Sequence, residues 1–508
     1  MAWSNSPLLL FFTFPALVAA VLLILHHRSH GRTNPKTKSS NDGRLPPGPP
    51  TLALLAKLAL RRPIFKLEPL LLELHARYGA VISLRLLGTQ VFVSDRLLAH
   101  RALVQGGATF ADRAPLGDPD LLFSAGGRTI NSLPYGPYWR LIRRNLANNG
   151  LHRGRAGVFS PTRKWACDDL VGSLLRAATG SSGAVTLRPF LLRAMFELLV
   201  YMCFGARLSR EELDEVEKLQ HHVLASTTSF PVFYFLPAVT KKLFRRRWAD
   251  DVAVRRRLDE VFVPLIHATR DLSGDDPPCY ADSLLALRVP EEGDRPLTDA
   301  EMVSLCSEFL TGGTDTTVSL VEWIMAELVN HPDMQARLRE EVMAKPELND
   351  GDLESMPYLR AVVLEGLRLH PPAHLALPHG VLCDTEIAGY TVPRGAEVNF
   401  MVAEIGRDET AWTDAREFRP ERFLDGGEGC SVDITGTKEI KMMPFGAGRR
   451  MCPGYSIGMR NTEYFVATMV RELEWRPPVD GEGVDMAESM DFIVFMKHPL
   501  RARVLPTR

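Results

Sequence analysis

One cysteine, set among glycines and arginines near the carboxyl end, constrains this chain more than any other feature. Residues 445–454 read Phe-Gly-Ala-Gly-Arg-Arg-Met-Cys-Pro-Gly and fit Phe-x-x-Gly-x-Arg-x-Cys-x-Gly at every fixed position. Glycines let a backbone turn tightly and approach a flat ligand, and positive charge or helix N-terminal amides lower the pKa of a thiol. Pro453 suits the first turn of a following helix, which would place Cys452 at its positive end. The loop predicts a thiolate metal ligand; the alternative is a small buried cysteine.

The overall composition narrows the class of protein. The chain has 508 residues, of which 45% are apolar, so it can bury a very large core. Its formal charge of −1 provides no global field for binding nucleic acid. Seven cysteines are scattered without a CxxC pair or zinc spacing, which argues against a disulfide framework and a zinc module. A reducing compartment fits this cysteine usage best.

The N-terminal segment predicts a membrane anchor. Pro7–Leu25 has no charged side chain, and a helix of that length spans a hydrocarbon core of about 30 Å. A cleaved signal peptide is the alternative, but residues 1–6 carry no basic side chain and no Ala-x-Ala site follows the run. Basic residues follow it instead, which favours a cytosolic body. We therefore expect an anchor over 1–28, a polar and Pro/Gly-rich hinge over 29–50, and a single globular domain over 51–508.

Between these ends the pattern is mostly helical. Residues 334–342 are rich in good helix formers, whereas 80–86 and 90–93 flank a turn at Gly88 and predict short strands. Residues 397–402 are a further strand candidate. The expected fold class is mainly α with a minor β part.

A second unusual segment interrupts the long apolar stretch over residues 302–328. Residues 311–317 read Thr-Gly-Gly-Thr-Asp-Thr-Thr, and glycines, an acid and β-branched hydroxyl residues all disfavour a helix interior. The segment is therefore either a helix end or a functional kink. An acid beside an alcohol suits proton delivery into a dry pocket, because a hydroxyl relays a proton without carrying charge. Asp315 and Thr316 are the candidates; for Asp315, the alternative is a solvated surface carboxylate.

Two further motifs place charged or aromatic residues at helical spacing. Glu365 and Arg368 lie on one predicted helix face, ahead of a proline pair that ends the helix, and Pro-Glu-Arg-Phe follows at residues 420–423. Trp139 and Arg143 lie one helical turn apart, and a guanidinium there is suited to a carboxylate. Taken alone, these motifs equally describe a surface salt bridge and a basic helix end.

In their order along the chain, the motifs resemble those of the cytochromes P450. The cysteine loop resembles the haem-binding loop of that family, and residues 311–317 resemble its central-helix motif, with Gly312 where alanine is commoner. Glu365, Arg368 and Arg422 resemble its Glu-Arg-Arg triad, a structural lock. Residues 305–310, 400–404 and 440–444 are similar to segments of plant microsomal A-type enzymes. The similarity is greatest to plant cytochrome P450 family 89, and family 77 is next.

The resemblance implies a cytochrome P450 fold, in which one haem-containing catalytic domain follows an N-terminal transmembrane helix. Haem b would be the cofactor, with the thiolate of Cys452 as the axial iron ligand and Phe445 packed beside the sulfur. The propionates of the haem would contact Trp139, Arg143 and Arg450, and His379 stands where the family usually has arginine. The implied cofactor-binding residues are Cys452, Arg450, Phe445, Gly446, Gly448, Trp139, Arg143 and His379.

The same resemblance implies a haem-thiolate monooxygenase. Thr316 would be the alcohol beside dioxygen, and Asp315 the acid that feeds protons towards it. Electrons would come from NADPH-cytochrome P450 reductase, because the sequence has no flavin or nicotinamide fingerprint. Oxygen would reach an apolar small molecule, a plant metabolite. The expected partners are the reductase, O₂, the substrate and membrane lipid, with no nucleic acid, and the expected address is the endoplasmic reticulum membrane, single-pass, with a cytosolic catalytic domain.

Two other functional classes stay open. An isomerase or dehydratase of the same fold would act on a peroxide without a reductase, and its chemistry would not need Asp315 and Thr316. A non-catalytic haem-binding protein would keep Cys452 but would need no proton relay.

A second, monotopic membrane contact is a hypothesis for the apolar residues 230–237. This segment includes Phe233 and Phe235 and precedes a run of basic residues, as in interfacial segments that dip into a bilayer. A buried connector with a solvated basic face is the alternative.

Overall fold

A computed structural model describes residues 44–507, except 52, 55–66, 86–87, 152–156, 180–182, 230, 235, 269–278 and 480. The predicted anchor over 1–28 and most of the hinge over 29–50 lie outside the described residues. Within the described ranges, no helix combines the length and apolar character needed to cross a membrane. The part of the hinge that is described packs on the body, because Pro47 accepts a backbone hydrogen bond from Ser83 at 2.8 Å.

Helices make up most of the described chain. Their bounds are α1 (Leu67–Tyr78), α2 (Arg96–His100), α3 (Asp120–Phe123), α4 (Pro137–Asn145), α5 (Ser160–Ala178), α6 (Arg188–Phe204), α7 (Arg210–Thr228), α8 (Pro237–Leu243), α9 (Arg245–Ile266), α10 (Tyr280–Leu285), α11 (Asp299–Asn330), α12 (Pro332–Met343), α13 (Pro357–Leu369), α14 (Val402–Gly406) and α15 (Tyr455–Glu472). Capping explains where the longest begins: Thr298 accepts the N–H of Glu301, whose carboxylate accepts the N–H of Thr298 in return. The predicted helix over 334–342 is confirmed within α12.

The strands are short and form one four-stranded sheet, one three-stranded sheet and three two-stranded sheets among the described residues. Their bounds are β1 (Val81–Arg85), β2 (Thr89–Val93), β3 (Ala184–Thr186), β4 (Arg288–Val289), β5 (Arg295–Pro296), β6 (His379–Gly380), β7 (Thr385–Ile387), β8 (Tyr390–Val392), β9 (Glu397–Phe400), β10 (Leu473–Arg476), β11 (Glu488–Met490), β12 (Val494–Met496) and β13 (Arg501–Pro506). The four-stranded sheet has the order β1-β2-β9-β6, with β2 and β9 parallel and the other neighbours antiparallel. The strand predictions over 80–86, 90–93 and 397–402 are confirmed, although the last strand ends at Phe400 because α14 begins at Val402.

The central helix α11 runs for 32 residues without interruption. A helix end within residues 311–317 is therefore wrong. The C-terminal half of α11 is buried on nearly all sides, and the helix packs against α6, α9 and α15. The prediction of a mainly α fold with a minor β part is confirmed.

The cysteine loop lies where the sheet meets the helices. Ala447 packs in the apolar cluster that surrounds the four-stranded sheet, together with Leu103 and Met443. Ile457 and Met459, just after the loop, belong to the large helical core. The loop is thus anchored on both sides by buried apolar contacts.

Candidate active site

A backbone hydrogen bond closes the cysteine loop. The N–H of Cys452 donates to the carbonyl of Phe445 at 2.8 Å, and residues 448–450 between them form a 3₁₀ turn. The N–H of Gly454 donates to the Cys452 sulfur. Helix α15 begins at Tyr455, so the prediction that Pro453 lies in the first turn was wrong by two residues. Cys452 still precedes the helix N-terminus directly.

Two glycines in the loop have backbone conformations that L side chains rarely adopt. The φ angles of Gly446 and Gly448 are +69° and +70°. A Cβ at Gly448 would lie 2.0 Å from the carbonyl oxygen of Leu103, a contact that real side chains do not make. Glycine at this position therefore allows both the turn and the close packing of the loop on its neighbour.

The thiol of Cys452 is less acidic than the sequence predicts. Burial raises its pKa, and the Gly454 N–H and the charge of Arg143 oppose that shift without cancelling it. The residue as a whole is half-buried. Since a coordinating thiol is deprotonated outright by its metal, the loop itself supplies position more than acidity.

A cluster of guanidinium groups lies beside the cysteine loop. Arg450 donates to three backbone carbonyls, those of Ala111 at 2.6 Å, Ile130 at 3.0 Å and Leu133 at 2.6 Å. Burial, together with the nearby charges of Arg113 and Arg143, lowers the pKa of Arg450 to about 9. Burial likewise lowers the pKa of Arg113 to about 10. These cations are held by neutral carbonyls while they repel one another.

Trp139 and Arg143 lie against this cluster on α4. The Trp139 indole donates to the carbonyl of Ile130 at 3.1 Å, and the Arg450 guanidinium lies 4.5 Å from the centre of the indole ring. Arg143 donates to the carbonyl of Met451, inside the cysteine loop. The structure thus brings together four of the predicted cofactor residues, Trp139, Arg143, Arg450 and Cys452.

The donor set fits a flat dicarboxylate that carries a metal. One thiol stands beside three half-buried guanidinium groups, and carboxylates placed among those groups would relieve their mutual repulsion and form charge-assisted hydrogen bonds. Phe445 packs at the other side of the loop, with its ring edge-on to Tyr455 at 6.2 Å. These features match the chemistry of a haem with two propionates.

His379 stands where the resemblance leads one to expect an arginine, and the structure shows a neutral side chain there. It is 5% exposed, and its Nδ1 lies 2.7 Å from the carbonyl oxygen of Phe110. Burial lowers its pKa to about 3, and the charges of Arg113 and Arg450 contribute. The ring is therefore neutral, with Nδ1–H donating to Phe110, because it adjoins cations and has no anion to stabilise a charge. The ring lies beside the guanidinium cluster, and its contact with a propionate stays a prediction.

Three hydroxyl groups in the 311–317 segment donate hydrogen bonds to backbone carbonyls of the helix that holds them. Thr316 donates to the carbonyl of Gly312 at 2.8 Å, and Thr314 and Thr317 donate to the residues four earlier at the same distance. Such back-bonding lets hydroxyl residues remain in a helix interior. The Thr316 oxygen keeps its acceptor lone pairs for another partner.

Asp315 lies beside a small cavity between α11, α6 and α7. The cavity has about 20 Å³ of water-accessible space, and Glu217, Gln220 and His221 of α7 also line it. Burial raises the pKa of Asp315, while the charge of His221 lowers it. The amide nitrogen of Gln220 is buried without a hydrogen-bond partner. The cavity is large enough for one water, and Asp315 is half-buried beside it.

The predicted lock is present. Arg368 donates to both carboxylate oxygens of Glu365, at 2.7 and 2.8 Å, and Arg422 donates to the same carboxylate at 3.2 Å. All three side chains are buried. Arg368 also donates to the carbonyls of Gly406 at 2.9 Å and Ala415 at 2.6 Å, so the lock ties α13 to the segment that precedes the cysteine loop.

Two residues of the site were missed from the sequence. Arg113 follows Phe-Ala-Asp in an irregular loop and donates to the carbonyls of Asn131 and Pro378. Glu308 lies on α11 and accepts the backbone N–H groups of residues 130 and 131. An acid within an apolar helix was an available clue for Glu308, whereas Arg113 had no periodic pattern to identify it.

Similarity to known proteins identifies the family of this chain. A family model described as Cytochrome P450 matches residues 46–506. The chain is a cytochrome P450. It is 41% identical over 484 residues to cytochrome P450 89A9 of Arabidopsis thaliana, covering 92% of this chain and 94% of that protein. It is also 31% identical over 510 residues to an Arabidopsis thaliana protein named Flavonoid 3'-monooxygenase, covering 95% of each.

Solved structures agree on the fold of this cytochrome P450. A zebrafish cytochrome P450 solved with progesterone superposes with a TM-score of 0.72 at 22% identity, covering 87% of this chain and all of that one. The predicted likeness to plant cytochrome P450 family 89 is confirmed by the 41% relative. The chain is a P450 monooxygenase, and its family binds haem through a cysteine thiolate and uses O₂ and a substrate.

Proposed function

We propose that Cys452 is the thiolate ligand of haem b in this monooxygenase. The observation that supports this most is the position of the loop: Arg143, beside Cys452, donates into it, and Arg450, two residues before the cysteine, lies in the guanidinium cluster. In this proposal Arg113, Arg143 and Arg450 hold the two propionates. His379 adjoins them, and a propionate nearby would favour its charged form.

The haem supplies the metal centre at which O₂ is activated. In our proposal Thr316 stands beside that centre and uses its free lone pairs to orient a water or accept a proton. Asp315 holds protons at its carboxyl, because burial raises its pKa, and the cavity beside it provides exchange with solvent. The acid and the alcohol would thus deliver protons while bulk water stays excluded.

We further propose that the substrate is an apolar small molecule, a plant metabolite, and that it is hydroxylated or epoxidised. The plant relatives support the source of the metabolite, and the relative named Flavonoid 3'-monooxygenase shows that one plant member of the family oxygenates a small molecule. NADPH-cytochrome P450 reductase is the proposed electron donor, since members of the family usually need a redox partner.

The proposed address is the endoplasmic reticulum membrane, with residues 1–28 as a single-pass anchor, 29–50 as hinge and 51–508 as the cytosolic catalytic domain. The sequence hypothesis of a second, monotopic contact names Phe233 and Phe235, of which Phe235 lies outside the described residues. We propose that this contact instead uses apolar side chains around α8. Phe233 is 1% exposed and cannot enter a bilayer, whereas Leu236, Val239 and Leu243 are each more than half exposed. Exposed apolar side chains beside basic ones are typical of an interfacial contact.

The reduced carbon monoxide difference spectrum tests the proposed ligand. The wild-type protein should show the red-shifted Soret band of a haem thiolate, and Cys452→Ser should lose it while it retains the fold. A thiolate band that survives Cys452→Ser would overturn the assignment. Cys430→Ser is a matched control, because Cys430 is an exposed free cysteine. Turnover that depends on NADPH and reductase then separates the monooxygenase from an isomerase or dehydratase.

A further inference from the structure

Glu308 uses both oxygens of its carboxylate to hold one stretch of backbone. Its Oε2 accepts the N–H of Ile130 at 2.8 Å, and its Oε1 accepts the N–H of Asn131 at 2.7 Å. The two peptides are 177 residues or more away from Glu308 in the sequence. Charge-assisted bonds of this kind are about twice as strong as neutral ones. Glu308 therefore fixes the position of a loop relative to the central helix α11.

The same loop, residues 129–133, holds the guanidinium cluster through its carbonyls. The carbonyl of Ile130 accepts from both Trp139 and Arg450, and the carbonyl of Leu133 accepts from Arg450. Arg113 donates to the carbonyl of Asn131 at 3.1 Å. The loop thus presents N–H groups to Glu308 and carbonyls to the residues that would meet the propionates.

The charge of Glu308 also matters to this cluster. Burial raises the pKa of Glu308, and the N–H groups of residues 130 and 131 and the charge of Arg143 oppose that shift by stabilising the carboxylate. The carboxylate attracts Arg113, Arg143 and Arg450, as the charge of Asp112 attracts Arg113 and Arg450. A half-buried cluster of like charges needs such compensation if it is to remain ionised before a ligand arrives. The carboxylate therefore orders the loop and offsets the repulsion among the cations.

We propose that Glu308 is a positioning residue for the haem propionates, acting through residues 129–133 on Arg450 and Trp139. The inference rests on the proposed haem site. Because the cluster is already ordered by Glu308, the cofactor does not have to order it on binding, and such preorganisation strengthens binding. Glu308 does not touch the reacting atoms, since both of its oxygens are engaged by backbone.

The test compares haem release from the full-length holoenzyme and from Glu308→Gln. An amide oxygen can accept one of the two N–H groups, but the NH₂ group opposes the other and the charge is lost. We expect transfer of haem to apomyoglobin to be accelerated by about tenfold, the equivalent of one charge-assisted hydrogen bond. The thiolate carbon monoxide band should keep its position, and the reduction potential should rise because a negative charge near the haem is removed.

Glu322→Gln is the matched control on the same helix. Glu322 is fully buried and also accepts a backbone N–H, that of Leu500, together with Arg188. We expect this variant to unfold at lower temperature while its haem release rate and reduction potential stay at the wild-type values. Equal haem release from the Glu308→Gln and wild-type proteins would overturn the proposal.

A double-mutant cycle with Arg450→Lys separates positioning from general stability. If Glu308 acts through Arg450, the double variant should release haem more slowly than the product of the two single effects predicts. Fully multiplicative effects would contradict the proposal. If Glu308→Gln does not fold, Glu308→Asp takes its place. We expect this variant to release haem faster than the wild type, but by less than tenfold. Release at the wild-type rate would contradict the proposal. A wild-type protein without a thiolate band would instead refute the proposed function.

Discussion

Arg368 and Glu365 form a two-point ion pair with both side chains 0% exposed. Breaking such a pair from one side leaves an uncompensated buried charge, at a cost of about 3–5 kcal/mol. We therefore expect Glu365→Gln to lower the free energy of unfolding by about that amount, or to prevent folding. Urea unfolding of the purified protein, or the yield of haem protein on expression, measures it.

A surface pair provides the comparison for this prediction. Lys164 and Asp168 form an ion pair one helical turn apart, and their side chains are 63% and 60% exposed. Asp168→Asn should cost no more than about 0.5 kcal/mol. If Glu365→Gln were as mild as Asp168→Asn, the triad would not be a lock.

The parts of the site that follow local sequence patterns were predictable. The parts that depend on contacts between segments far apart in the sequence were not. The motif at Cys452 and the spacing of Glu365 and Arg368 identify residues whose contacts lie on one loop or one helix face. Arg113 and Glu308 act through contacts with distant loops, which no periodicity encodes. The exact start of α15 also escaped prediction, because the proline that suits a first turn lies before it.

Electrostatic environment was the least predictable property. The resemblance predicts only that His379 stands where the family usually has arginine, whereas its neutrality depends on burial and on the positions of Arg113 and Arg450. The pKa of Cys452 was likewise predicted to fall, yet burial raises it. Desolvation depends on how the core assembles, so residue types alone do not predict the direction of a pKa shift.

Gly448→Ala should disrupt the cysteine loop. The added Cβ would lie 2.0 Å from the carbonyl oxygen of Leu103, at a φ of +70°. We expect the loop to shift, with loss of most of the thiolate carbon monoxide band. Gly293→Ala is the control, because its φ is +75° but nothing lies within 4 Å of the added atom. The control should cost about 1–2 kcal/mol for the backbone alone and keep the full band.

Asp315→Asn should raise the thermal stability of the protein at high pH and lower its catalytic activity. Burial raises the folded-state pKa of Asp315 above its unfolded value. The stability that this group contributes is therefore fully present below the unfolded pKa and is lost as pH rises through the folded pKa. The neutral amide avoids that loss, so the variant should melt higher than wild type near pH 8, with the difference disappearing towards pH 4.

The same substitution should lower the rate of substrate oxidation. General acid catalysis typically contributes about 10²–10⁴-fold, so substrate oxidation by Asp315→Asn should fall by at least about 10²-fold, with reducing equivalents diverted to hydrogen peroxide. Glu217, His221 and Arg188 also act on this carboxyl, and they remain in the variant. Unchanged coupling of NADPH oxidation to product would contradict a relay role for Asp315.

The exposed apolar surface at α8 should contribute to membrane binding independently of the anchor. In protein lacking residues 1–28, the double substitution Val239→Ser and Leu243→Ser removes two side chains that are 58% and 60% exposed. Each buried CH₂ group is worth about 0.8 kcal/mol, so co-sedimentation with anionic phospholipid vesicles should weaken by about tenfold or more. Leu97→Ser removes a leucine of similar exposure, 54%, on α2 and should leave binding unchanged. Equal sedimentation of the double variant and the Leu97→Ser protein would assign the α8 surface to another role.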